Sequence, residues 1–84
     1  MELESQLSQV KSRDDLVRFV EALRVDLQKN SDRWENGSLE AFLEAMSGWI
    51  ADMDQYYRNR GEVIPENQPW NLFATILTAA RTYE

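Results

Sequence analysis

The longest amphipathic pattern in the chain covers residues 39–59, LEAFLEAMSGWIADMDQYYRN. At 100° per residue its large apolar side chains fall within an arc of roughly 140°, which is typical of a helix with one buried face. A strand is excluded because the adjacent apolar residues Trp49 and Ile50 would then point to opposite faces. We predict one long helix with Ser38 as its N-cap and Gly61 just beyond its end. The apolar arc consists of Leu39, Phe42, Leu43, Met46, Trp49, Ile50, Met53, Tyr56 and Tyr57.

A stripe of small residues lies beside this apolar arc and consists of Ala41, Ala45 and Gly48. A glycine inside a helix costs about 1 kcal/mol relative to alanine, so a close contact would explain its presence. In one interpretation another helix backbone passes close to the stripe. In the other, the stripe is a shallow docking groove for a partner.

Residues 13–28 carry a second helical pattern. Ser12 is a suitable N-cap, and Asp15 is positioned three residues later to reach back to the backbone, as in a capping box. Asp14 and Arg18 are four residues apart, which predicts a surface ion pair. The apolar face of this helix consists of Leu16, Phe19, Val20, Leu23 and Leu27.

Residues 69–83 carry a third helical pattern. Pro69 suits the first turn of a helix, where the missing N–H has no partner to lose, and Asn67 or Gln68 would then be the cap. The predicted buried arc is about 200° wide, which is more than a surface helix needs. Its members are Trp70, Leu72, Phe73, Ile76, Leu77, Ala80 and Tyr83. An uncharged stripe opposite, typical either of an oligomer contact or of an ordinary polar face, consists of Asn71, Thr75, Thr78 and Thr82.

Two short loops, residues 29–38 and 61–68, connect these helices, and short connections favour antiparallel neighbours. We therefore predict an all-α fold in a single domain, residues 1–84. The predicted architecture is a small antiparallel three-helix bundle with helices at about 13–28, 39–59 and 69–83.

A short segment, residues 1–11, precedes the predicted bundle and carries Leu3, Leu7 and Val10 at helical spacing. Isolated helices of this length are marginal in water. The segment is interpreted either as a terminal helical turn on the core or as an arm that docks on a second subunit.

Trp34 is a large apolar residue in an otherwise polar loop, KNSDRWENGS. As a plug at one end of the bundle, its ring would be covered and its indole N–H would need an acceptor. As an exposed anchor, the same ring would be typical of a binding hot spot.

The chain contains no Cys and no His. This composition excludes disulfides and thiolate nucleophiles, and it removes the commonest general base and transition-metal ligand. Two carboxylate clusters, Glu40 with Glu44 and Asp52 with Asp54, lie on the predicted solvent face of one helix. Glycosidase-type catalysis instead needs carboxylates that face each other across a cleft. We expect no enzymatic activity, no cofactor and no metal site.

Fifteen acidic residues against nine basic residues give a net charge of −6. An acidic chain lacks the basic footprint that nucleic acids require. The charge suits a basic protein partner, and it would also serve simply to keep a small protein soluble. The chain contains no run of 18 apolar residues, so the sequence predicts no membrane span. The start MELESQLSQ is not typical of a signal peptide. We expect a cytoplasmic protein.

A motif runs through the chain as WEN at residues 34–36, LEAFLEAM at 39–46, then Trp49, the pair Tyr56-Tyr57, and Gly61. With it, residues 14–84 resemble a family of small, functionally uncharacterised bacterial all-helical proteins. The resemblance implies a stand-alone, cytoplasmic helical domain without assigned catalysis, and it supplies no active-site residues.

Two functional hypotheses follow from these patterns. The first is a non-catalytic protein-binding module, such as an inhibitor or immunity-type protein that covers a basic partner. Its candidate partner-binding residues are Trp34, Glu35, Glu40, Glu44 and Asp54. The alternative is a self-associating structural or adaptor domain, a homodimer. Neither hypothesis involves a nucleic acid, a membrane or a small-molecule substrate.

Overall fold

The computed structural model describes residues 3–84, and every regular element among them is helical. The elements are α1 (Leu3–Leu7), α2 (Arg13–Lys29), a 3₁₀ turn (Ser31–Arg33), α3 (Leu39–Asn59) and α4 (Trp70–Ala80). The predicted all-α fold is confirmed. No helix in residues 3–84 is sufficiently long and apolar to cross a membrane.

The start of α2 is stabilised by its own sequence. The backbone N–H of Asp15 donates to Ser12 Oγ at 3.1 Å, which confirms Ser12 as the N-cap. The Asp15 carboxylate accepts from the backbone N–H of Lys11 at 3.0 Å, one residue earlier than a capping box requires. Asp15 also forms the ion pair with Arg18, at 2.6 Å, in place of the predicted Asp14.

Both ends of α3 lie where the sequence predicts them. Ser38 Oγ accepts from the backbone N–H of Ala41 at 3.1 Å. At the other end Gly61 has a φ of +67°, a left-handed conformation that favours glycine. The N–H of Gly61 donates to the carbonyl of Arg58 at 3.1 Å, and that of Glu62 to the carbonyl of Tyr57 at 2.9 Å. This pair of bonds is a Schellman motif, which satisfies carbonyls that the helix would otherwise leave unpaired.

α4 is shorter than the predicted helix over residues 69–83. The prediction of Asn67 or Gln68 as its cap is wrong, because Pro69 occupies the cap position and no side chain caps the helix. The backbone carbonyl of Gln68 instead accepts from the N–H of Trp70 at 2.7 Å. Beyond Ala80 the chain continues in turns, so the regular helix ends three residues before the predicted boundary.

α1 is a short helical turn that contacts α2, as in the first interpretation of residues 1–11. Residues 1 and 2 of that predicted segment lie outside the described residues.

The chain divides into two compact units, and the boundary falls inside α3, between Trp49 and Ile50. In the first unit, α2 contacts α1 and the 3₁₀ turn. The second unit contains the end of α3, the loop that follows it, and α4.

The apolar faces of the helices are more exposed than the sequence predicts. Met53, at 9% exposure, is the one buried hydrophobic residue among residues 3–84. Trp49 on α3 and the apolar side chains of α4 were predicted to be buried, but each is close to half exposed. A unit of this size has too few elements to surround a helix, so part of each apolar arc stays in contact with water.

Candidate functional site

Trp34 lies in the loop between α2 and α3 and is held from both sides. Its indole Nε1–H donates to Asp26 Oδ2 on α2 at 2.7 Å. Its ring stacks on Phe42 of α3, with the ring centroids 6.1 Å apart and the planes inclined by 26°. The predicted need for an acceptor is thereby confirmed. Both contacts are made within the chain, one by the indole N–H and the other by one face of the ring. They favour the interpretation of Trp34 as a plug over its interpretation as an exposed anchor.

Asp26 and Asn30 complete what we call the Trp34 cluster, which consists of Asp26, Asn30, Trp34 and Phe42. The Asp26 carboxylate accepts a second hydrogen bond, from Asn30 Nδ2 at 2.9 Å. The bond from the Trp34 indole, followed by that from Asn30, lowers the pKa of Asp26 below its ordinary value. Asp26 is therefore an ionised side chain held in a defined position.

Sequence reasoning overlooked Asp26 and Asn30. A usable signal was present, because Asp26, Asn30 and Trp34 follow one another at intervals of four residues. Asp26 provides an acceptor for the indole N–H of Trp34. Asn30, one helical turn after Asp26, provides a donor that orients this acceptor.

Glu40 and Glu44 lie one turn apart on the same exposed side of α3. Within residues 3–84 neither carboxylate forms an ion pair or a hydrogen bond. Like charges at this spacing destabilise a helix by about 0.2–0.5 kcal/mol. By contrast, the carboxylates of Asp15, Glu21, Asp54 and Glu62 each lie within 4.0 Å of an arginine. Glu40 and Glu44 thus form a negative surface that the described part of the chain does not neutralise.

The other two candidate residues differ in their surroundings. Glu35 is exposed and directly follows Trp34 in the loop. Asp54 belongs to the second unit, where its carboxylate lies 4.0 Å from Arg58, in the ion pair that the spacing predicts. The structure therefore joins Trp34 to α3 through Phe42 and places Glu40 and Glu44 on one side, while Asp54 is engaged separately.

Two open clefts of about 370 and 400 Å³ flank α1 where it lies on α2. Both contain Gln6 and Arg18, and the first also contains Asp15, whose charge Arg18 neutralises. Residues 3–84 contain no group of three or more His, Cys, Asp or Glu side chains arranged to hold a metal ion.

The structure defines an all-helical chain that carries an exposed acidic pair on α3 and, separately, an internally bonded tryptophan. The chain belongs to the Family of unknown function (DUF7660), which matches residues 12–84. This match confirms the resemblance to a functionally uncharacterised family, while the bacterial origin and the family motif stay predictions. The matched region begins at the cap of α2 and includes the Trp34 cluster, α3 and α4. No curated protein and no solved structure is significantly similar to the chain.

Proposed function

We propose that this chain is a non-catalytic protein-binding module whose acidic α3 surface binds a basic protein, as an inhibitor or immunity-type protein would. The acidic α3 surface is centred on Glu40 and Glu44. The observation that supports the proposal is that these two carboxylates repel each other without a cation nearby in residues 3–84. Lysine or arginine side chains of a partner would turn this repulsion into two charge-assisted hydrogen bonds.

The net charge of −6 supports the same proposal, because it attracts a basic partner over a distance and raises the association rate. The Trp34 cluster would contribute indirectly. By linking the loop to α2 and to Phe42, it holds the chain next to Glu35 in place close to the start of α3. Asp54 would contribute less, since Arg58 already competes for its carboxylate. The proposed setting is the cytoplasm, without a nucleic acid, membrane or small-molecule ligand.

An affinity capture with a charge-matched control tests this proposal. Wild type, the double variant Glu40→Lys/Glu44→Lys and the control Asp52→Lys/Glu66→Lys are immobilised and exposed to lysate of the source cells. Both double variants change the net charge equally, and all four side chains are exposed. We expect a basic protein that wild type and control retain, and that Glu40→Lys/Glu44→Lys loses. Equal retention by all three, or equal loss from both double variants, would contradict a specific role of the acidic α3 surface.

Self-association is the second candidate function, and a separate observation favours it. α4 contains no charged residue although the chain is strongly acidic, and its apolar side chains are exposed. Interface cores are typically depleted of charge. On this candidate the chain is a structural or adaptor domain that forms a homodimer.

We also propose that α2, α3 and α4 form the antiparallel three-helix bundle that the short connections favour. The Trp34 cluster supports the first half of this arrangement, because it links α2 to the start of α3 across the first loop. Nuclear Overhauser contacts between the Phe73 ring and apolar side chains of α3 would support the second half. Their absence in a fully assigned spectrum would contradict it.

A further inference from the structure

We propose that two copies of this chain associate through one side of α4, which we call the α4 face and define as Leu72, Ile76, Ala79 and Tyr83. This inference deepens the second candidate function, and it involves none of the residues of the acidic α3 surface. Residues spaced by four and seven positions lie on the same side of a helix. Tyr83 follows the end of α4, but its N–H donates to the carbonyl of Ala79 at 3.0 Å and so continues the helical spacing.

The large apolar side chains on both sides of α4 are exposed, with Trp70, Phe73 and Leu77 at 43–44%, so internal contacts and not exposure distinguish the two sides. Leu72 is 53% exposed, Ile76 is 45% exposed and Tyr83 is 86% exposed. The neighbouring side carries Trp70 and Phe73, which contact each other edge to face at 5.9 Å. The Trp70 indole also donates to the backbone carbonyl of Glu66 at 3.3 Å, so that side is turned toward the chain's own loop. Within residues 3–84, the side chains of the α4 face form no hydrogen bond, ion pair or ring contact.

Charge identifies the occupant as a second copy. Two chains of net charge −6 repel each other, and this repulsion is smallest where the surfaces that meet carry no charge. Both α2 and α3 carry several carboxylates, whereas the sequence of α4, WNLFATILTAA, carries none. A basic partner would form no ion pair with this helix, because α4 has no carboxylate. A second copy gains apolar burial there without placing like charges opposite each other.

The polar border of the α4 face does not oppose association. Thr75 Oγ1 donates to the carbonyl of Asn71 at 2.8 Å, and Thr78 Oγ1 donates to the carbonyl of Ala74 at 2.8 Å. Since both hydroxyl protons are already used, little hydrogen bonding to water is lost when a partner covers this border. The uncharged stripe of Asn71, Thr75, Thr78 and Thr82 therefore lies at the rim, and the apolar α4 face forms the centre.

The area available predicts a weak and reversible dimer. An aromatic side chain presents about 150–250 Å², so Tyr83 alone exposes on the order of 150–200 Å². With its neighbours the patch reaches on the order of 500 Å² per copy, below the roughly 800 Å² per partner of a standard interface. Antiparallel pairing of the two α4 helices is favoured because it places opposite ends of their dipoles together. It also gives a self-complementary two-fold contact.

Sedimentation equilibrium of wild type, Ile76→Glu and Ala74→Glu tests this interface. Both variants add one negative charge to α4, but Ala74 lies on the side opposite the α4 face. We expect a concentration-dependent dimer for wild type and Ala74→Glu, and a dimer dissociation constant about 100-fold higher or more for Ile76→Glu. A wild type that stays monomeric at high micromolar concentration would overturn the inference. So would an unchanged dimer in Ile76→Glu, or equal dissociation of both variants.

Cross-linking covers the case in which Ile76→Glu fails to fold, as judged by circular dichroism. The natural chain has no cysteine, so a single introduced cysteine reports on one position. A short bismaleimide should link two copies of Ala79→Cys rapidly and two copies of Ala74→Cys slowly. Equal rates would overturn the assignment of the α4 face. Because Glu40 and Glu44 are unchanged in all these variants, a negative result here leaves the proposed binding of a basic protein intact.

Discussion

At the level of single residues, Asp26 links a helix to a loop through its charge. Its carboxylate accepts from the Trp34 indole and from Asn30, and both bonds favour the ionised form. Protonation of Asp26 would weaken both bonds at once. The Trp34 ring would then lose the contact that holds it beside Phe42.

This arrangement predicts a pH dependence of stability. The pKa of Asp26 is lower in the folded chain than its ordinary value of about 3.9. Asp26 therefore contributes its full stabilisation when the pH is above this ordinary value. The contribution is lost as the pH falls through the folded-state pKa. In urea unfolding followed by tryptophan fluorescence, the unfolding free energy of wild type should fall more steeply below about pH 4 than that of Asp26→Asn. Parallel pH profiles for the two proteins would contradict the assignment.

The matched control for this measurement is Asp52→Asn. Asp52 is exposed on α3 and has neither a hydrogen bond nor an ion pair within residues 3–84. Asp52→Asn should therefore retain the steep acid limb of the wild-type profile. If the unfolding free energy of Asp52→Asn fell less steeply at acid pH than that of wild type, the acid dependence would arise from general charge repulsion and not from the Trp34 cluster.

Sequence reasoning identified half of the Trp34 cluster. The plug interpretation of Trp34 predicts that its indole N–H needs an acceptor, and that need is a property of the residue itself. The identity of the acceptor depends on how the chain reverses after α2, because Asp26 lies eight residues before Trp34. Asp14 and Asp15 illustrate the same limit, since either was close enough in sequence to pair with Arg18 and the cap geometry selected Asp15.

At the level of elements, the helix ends show which local signals determine a boundary. Ser38 and Gly61 act through bonds that span a few residues, so both ends of α3 are predictable from the sequence. The start of α4 is not, because Pro69 fits either the cap or the first turn. Here the proline occupies the cap position and the helix lacks a side-chain cap.

Two glycines on or beside α3 predict opposite effects of the same substitution. Gly61→Ala places a Cβ at a φ of +67° and should destabilise the fold by about 1–2 kcal/mol. Gly48→Ala replaces a mid-helix glycine whose new Cβ meets no atom within 4 Å, and should stabilise the fold by about 1 kcal/mol. Thermal unfolding should show midpoint shifts of opposite sign, each of about 4–8 °C per kcal/mol.

Gly48→Ala also tests the interpretation of the small-residue stripe. If another helix backbone packed against Ala41, Ala45 and Gly48, the added methyl group would clash and lower the unfolding temperature. A destabilised Gly48→Ala would therefore favour the close-packed interpretation over the open surface that the structure shows.

At the scale of the whole molecule, two surfaces of different character lie on different helices. The acidic α3 surface is charged and unneutralised within residues 3–84, whereas the α4 face is apolar and belongs to a helix without charge. The sequence predicts that both helices are amphipathic, because periodicity is local. It does not predict which apolar arcs stay exposed, since that depends on how many neighbouring elements each helix meets.

Salt should distinguish the two surfaces. Screening weakens attraction between the acidic α3 surface and a basic partner, and it equally weakens repulsion between two acidic copies. Added salt should therefore slow the binding of a basic protein and strengthen association through the α4 face. Sedimentation equilibrium at low and high salt measures the second effect directly. A dimer that dissociates as salt is added would contradict apolar association of like-charged chains.

The most direct test of the proposed function is the association rate of the captured basic protein with wild type and with Glu40→Lys/Glu44→Lys, measured by stopped flow. At low salt we predict a fast rate for wild type and a rate at least about 10-fold slower for the double variant. At about 1 M salt, where the Debye length is about 3 Å, the two rates should converge. Equal rates at low salt, or a wild-type rate that does not change with salt, would contradict the account.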